Sequence, residues 1–162
     1  MKKNWKIYVI GSSLIALALI IVLLAVFLPK IVHRSEMKDL FESILAPDPA
    51  FVTVGDPLYN TGDALGNRGK EVILEGETRT EVLDLIAALS EGGYRIAAEE
   101  KKTSGAWDLS LRVRSATGET LYLYFTESTF YYMNDTLAVH FEPKDAALYA
   151  TLYEKMNAIL AE

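Results

Sequence analysis

Arg112, Arg114, Tyr122, Tyr124 and His140 fall at alternating positions of segments that read as strands, and they carry the most suggestive chemistry in the chain. Successive side chains of a strand point to opposite faces. If Trp107, Leu109, Leu111, Val113, Leu121, Leu123, Phe125, Leu137, Val139 and Phe141 face a core, those five residues face away from it together. Tyr131 or Tyr132 lies nearby. An arginine forks onto carboxylates and phosphates, and a tyrosine ring stacks on flat partners. The face therefore suits sugars, carboxylates or phosphates, and a wall glycan or an anionic polymer is the ligand it predicts. The competing reading is structural. Tyr and Arg also pair across strands to brace an exposed sheet, or a juxtamembrane helix covers the face. His140 alone reads as packing, with pH sensing as the other role open to a histidine.

Other chemistry is hard to find. The chain has no cysteine, and its two histidines, His33 and His140, are far apart in sequence. No cofactor and no His/Cys metal site is expected, and no catalytic residue can be named. There is no Gly-x-Ser-x-Gly elbow. The stretch 64–71 resembles a phosphate-binding loop only superficially, lacking its first glycine and its Ser/Thr. Asp56, Asn60, Asp63 and Asn67 could offer oxygen to calcium, but their spacing is not that of an EF-hand and suits turns. Asn134-Asp135-Thr136 matches a glycosylation acceptor and reads as a hairpin turn. Asp108, Glu119 and Glu127 are candidates for paired-carboxylate hydrolysis or transfer, which needs a separation of about 5–10 Å.

The elements that must position these residues follow from periodicity. Ser35 can cap a juxtamembrane helix with Met37, Leu40, Phe41, Ile44 and Leu45 on one side, stopped by Ala46-Pro47-Asp48-Pro49. A short strand at 51–54, a polar Gly-rich loop at 55–69 and a strand at 71–75 come next. Thr78-Arg79-Thr80-Glu81 reads as a capping box. It starts a helix with Val82, Leu83, Leu85, Ile86 and Leu89 inward, ended by Gly92-Gly93. Tyr94, Ile96 and Ala98 then alternate, followed by four or five strands with turns at 115–118, 127–129 and 134–135. A last helix after Pro143 carries Leu148, Leu152, Met156, Ile159 and Leu160. The fold class is α+β, an antiparallel meander sheet packed against two or three helices.

Residues 7–28 form 22 uncharged, mostly apolar residues. As a helix they span about 33 Å, enough for a bilayer core. A signal peptide is the alternative, but the small residues of Ala16-Leu17-Ala18 lie in mid-run and the exit, Leu24 to Lys30, is bulky. Ser12 and Ala16 would allow close helix approach, without a Gly-x-x-x-Gly pattern to signal it. Lysines and arginines tie at three on each side of the span. The six-residue leading tail and the long trailing domain then favour a cytoplasmic N-terminus. The organisation expected is a tail at 1–6, a transmembrane helix at 7–28, a juxtamembrane helix at 29–46 and an extracytoplasmic domain at 47–162. Residues 35–162 hold all 22 acids against 11 Lys and Arg, a balance of −11 that argues against nucleic acid.

The anchor, the helix start at Thr78-Arg79-Thr80-Glu81, the paired segments Leu121-Tyr122-Leu123-Tyr124-Phe125 and Thr129-Phe130-Tyr131-Tyr132, and the terminal helix together resemble a group of proteins. They are small membrane-anchored extracytoplasmic domains of uncharacterised Gram-positive bacterial proteins, and the likeness covers roughly residues 70–162. Many of those are lipoproteins, and this chain lacks the cysteine. The resemblance implies location and fold, with no activity to carry over. The function expected is a non-catalytic binding or accessory module of the cell envelope. Its partners would be the bilayer, through residues 7–28, and an envelope protein or wall glycan. An anchored hydrolase or transferase, and an accessory subunit of a membrane complex, are the alternatives.

Overall fold

The computed structural model describes residues 2–46, 51–57, 69–101, 107–133 and 137–162. In chain order these form α1 (Lys2–Ile44), β1 (Phe51–Gly55), β2 (Glu71–Ile73), α2 (Gly76–Gly92), β3 (Tyr94–Lys101), β4 (Leu109–Arg114), β5 (Thr120–Phe125), β6 (Phe130–Met133), β7 (Leu137–Pro143) and α3 (Ala146–Ala161). The fold is α+β. Its contacts divide the chain into two compact units, Met1–Glu36 and Met37–Glu162.

In the first unit, α1 is the one helix among the described residues that is long and apolar enough to cross a membrane. Every residue from 13 to 32 is exposed, including Leu14, Leu17, Ile20, Leu24 and Phe27, so the apolar surface runs all round the helix. A helix apolar on every side is suited to lipid or to a deep core. The separate juxtamembrane helix capped by Ser35 is not found. The helix continues through Pro29, and Ser35 is one of its interior residues. Proline removes one N–H, but its φ is helical, so helix resumes on both sides. His33 and Glu36 pair within this unit at 2.8 Å.

The second unit is built on a seven-stranded, wholly antiparallel sheet in the order β2-β1-β4-β5-β6-β7-β3. Strands β4 to β7 are joined by short turns, two of which are described. In one, Gly118 takes φ 89°, which favours glycine, and its N–H donates to Ser115 O. In the other, Thr126 and Thr129 exchange backbone and hydroxyl hydrogen bonds. One sheet face packs on the end of α1 (Met37, Phe41, Ile44), on α2 (Val82, Ile86, Leu89) and on α3 (Tyr149, Leu152, Met156, Ile159). The strands contribute Val52, Val54, Leu111, Val113, Leu123, Phe125, Phe130, Val139 and Phe141. The folded unit thus takes in the last turns of α1, ahead of the boundary expected at 47.

Local details depart from expectation in three places. Thr78 and Glu81 do not start α2: the helix begins at Gly76, and its N-cap, Glu75, makes no side-chain cap bond. Gly76 adopts φ 53°, so the chain turns into the helix two residues early. The Glu81 carboxylate pairs with Lys155 on α3 instead. Ala98 does not continue the inward alternation of Tyr94 and Ile96, because a bulge between Ile96 and Ala98 moves it to the other face, opposite His140. Trp107 precedes β4 and joins Tyr131 and Ala138 on the helix-free face. Alternation holds inside a strand and does not extend to the residue leading in.

Helix α3 is capped by Asp145, which accepts from Leu148 N–H at 2.9 Å. Its Tyr149 is 2 % exposed and donates its hydroxyl to the carbonyl oxygens of Thr126, at 2.7 Å, and Thr129, fastening the helix to the β5–β6 turn. Burial pushes the Tyr149 phenol far above its ordinary range. Phe41 of α1 sits 5.6 Å from the Tyr94 ring and 6.0 Å from that of Phe130. Phe41→Ala should lower the unfolding free energy by about 3–5 kcal/mol, measured by urea unfolding of the full chain in detergent. A loss below about 1 kcal/mol would show that this segment is not part of the core.

Candidate ligand-binding face

The strand registers align into rows that cross the helix-free face. Glu71, Gly55, Ser110, Tyr124, Tyr131, His140 and Ala98 are successive cross-strand partners spanning all seven strands. Ile73, Thr53, Arg112 and Tyr122 form the next row, and Phe51, Arg114 and Thr120 the one beyond. Arg112, Arg114, Tyr122, Tyr124 and His140 therefore share one face, in three adjoining rows.

Rings form a continuous stack over half of this face. Tyr122 and Tyr124 lie 6.0 Å apart and nearly parallel, at 7°. Tyr124 and Tyr131 are 5.3 Å apart, and Tyr131 and His140 are 4.5 Å apart. Trp107 tilts against Tyr124 at 5.2 Å. Tyr131 is thus the tyrosine that joins the face, while Tyr132 turns into the core beside Phe141. His140 Nε2 is 3.9 Å from Glu100 Oε2. Burial, and then the neighbouring Tyr122, push the Tyr124 phenol from 10.0 up to about 12. Tyr131 is shifted the same way, by burial first and then by Tyr124, Asp108 and Glu100.

The basic half is organised by residues that no local pattern announces. Arg112 Nη2 bonds Glu71 Oε1 at 2.6 Å, and Thr53 Oγ1 donates to the same carboxylate oxygen at 2.6 Å. Both charged side chains are mostly buried, so the pair is held in low dielectric, and removing either partner would leave an uncompensated charge. Phe51 lies under both guanidinium groups, 5.3 Å from Arg112 Cζ and 5.8 Å from Arg114 Cζ. Arg114 is exposed, whereas Arg112 is already committed to Glu71.

The carboxylates considered for hydrolysis do not gather. Asp108 accepts from Tyr153 Oη at 3.2 Å, near a shallow cleft of about 370 Å³ lined by Glu127, Ala150, Tyr153, Glu154 and Asn157. Glu119 lies at the other end of the β4–β5 hairpin, roughly 18 Å away by strand rise. Among the described residues no group of three His, Cys, Asp or Glu could hold a metal. Asp56 accepts from Lys70 N–H at 2.7 Å, closing the two ends of the loop on each other. Asn60, Asp63, Asn67, most of the phosphate-loop-like stretch and Asn134-Asp135-Thr136 lie outside the described residues.

No family model, curated protein or solved structure matches this chain. Function is therefore argued from the face itself.

A phenol whose folded pKa lies above its unfolded value retains its proton longer in the folded state. Its contribution is whole below pH 10 and is lost as pH rises from there to about 12. Tyr124→Phe should match the native chain in urea up to pH 9. At pH 12 it should retain about 1–2 kcal/mol that the native chain loses. Parallel profiles from pH 9 to 12 would contradict the buried environment of Tyr124.

Proposed function

We propose that this chain is a single-pass, membrane-anchored, non-catalytic binding module of the cell envelope, with the helix-free sheet face as its ligand surface. The observation that carries the reading is the unbroken stack of Tyr122, Tyr124, Tyr131 and His140 beside Arg112 and Arg114. Stacked rings next to guanidinium groups recognise flat or hydroxyl-rich ligands through their faces and anions through their edges. In this reading β4 to β7 are a meander whose second face is left for a partner. Helix α1 holds the module at the bilayer, with its short basic N-terminal tail cytoplasmic and the acidic unit extracytoplasmic. The resemblance to anchored Gram-positive domains agrees with that placement. An anchored hydrolase is the weaker reading, since Glu119 stands apart from Asp108.

Crosslinking in intact cells with mass-spectrometric identification tests the proposal. The full-length protein should capture a discrete glycan or protein, and a Tyr122→Ala/Arg114→Ala variant should lose about tenfold in yield, as expected for removal of central contacts. Equal capture by both proteins would make the face structural and place the contact elsewhere.

A further inference from the structure

Tyr131 is 1 % exposed, and its hydroxyl is buried without a hydrogen-bond partner among the described residues. Buried polar atoms are nearly always bonded, so an orphan of this kind calls for an explanation. A phenylalanine would fill the same place without the desolvation penalty. The hydroxyl destabilises the empty protein and contributes only when something bonds to it.

Its surroundings narrow what that is. Tyr124 and His140 stack on the two sides of the Tyr131 ring, and Trp107 lies against Tyr124. Trp107 stands outside β4, tethered to the sheet by the Asp108 N–H bond to Phe125 O, so its ring can shift without opening the ladder. The charges acting on the Tyr131 hydroxyl are Asp108 and Glu100, both negative. The nearest row's arginine, Arg112, is bonded to Glu71. An anion placed here meets carboxylates, whereas a neutral polyol meets flat rings and an unpaired hydroxyl. We infer that Tyr131 is the hydrogen-bonding centre of a site for a neutral saccharide, bordered by Trp107 and Tyr124. This rests on the binding-face reading and replaces its sugar-or-anion alternative with the sugar.

The chain has two tryptophans, Trp5 and Trp107, so full-length protein carrying Trp5→Phe in detergent reports on Trp107 alone. An oligosaccharide of β-1,4-linked N-acetylglucosamine should produce a saturable shift in its emission, and polyphosphate should not. Adding Tyr131→Phe should leave the melting temperature unchanged or raised, and should increase the half-saturating oligosaccharide concentration about tenfold. Undiminished binding by Tyr131→Phe, tighter binding of polyphosphate, or a lowered melting temperature would overturn the inference. If neither probe binds while crosslinking in cells still depends on Tyr122 and Arg114, the saccharide is wrong and the binding face stands. If crosslinking is also indifferent to them, both fall.

Discussion

The described helices of the folded unit all pack on one face of its sheet, and most of what is distinctive in the protein follows from that. Met37, Phe41 and Ile44 from α1, with the inward residues of α2 and α3, fill the core beneath the strands. The opposite face has to settle its own aromatic and charged residues by contacts within the sheet. It does so with a row of stacked rings on β5, β6 and β7 and with a Glu71–Arg112–Thr53 cluster across β2, β4 and β1. A face that only had to meet water would be satisfied with short polar residues and scattered charges. Four adjoining rings, one with a hydroxyl left unbonded, are more than that task requires.

The anchor and the folded unit are encoded in one helix. Its exposed apolar length suits lipid, where backbone hydrogen bonds must be satisfied internally, and α1 does this except at Pro29. Its last turns, from Met37 onward, switch to the spaced pattern of a helix with one buried side. Residues 37–44 therefore belong to the fold as fully as any strand.

Much of the architecture was legible because it depends on local rules. Period-two alternation placed Arg112, Arg114, Tyr122, Tyr124 and His140 on one face, and apolar spacing located α2 and α3. Where a local rule was interrupted, the reading went astray. The bulge after Ile96 reversed Ala98, Gly76 started α2 ahead of its apparent capping box, and Trp107 lay one step outside the strand it was assigned to. Partners distant in sequence left no trace at all. Thr53 and Arg112 are register partners, yet nothing in either segment announces the other, and Glu71 reaches them only through the β1–β2 pairing. Tyr149 escaped for a different reason: it is an aromatic ring in an aliphatic stripe, and its role depends on carbonyl oxygens of a turn in another part of the chain.

The central claim is that the helix-free face is occupied in the cell, and side-chain footprinting tests it directly. Oxidative labelling of tyrosines, read by mass spectrometry, would compare the protein in its native envelope with the purified protein in detergent. The account predicts that Tyr122 and Tyr124 are protected in the envelope, while Tyr153 on α3 labels equally in both. Equal labelling of Tyr122 and Tyr124 in the two settings would contradict it and leave the aromatic row as a brace for the sheet.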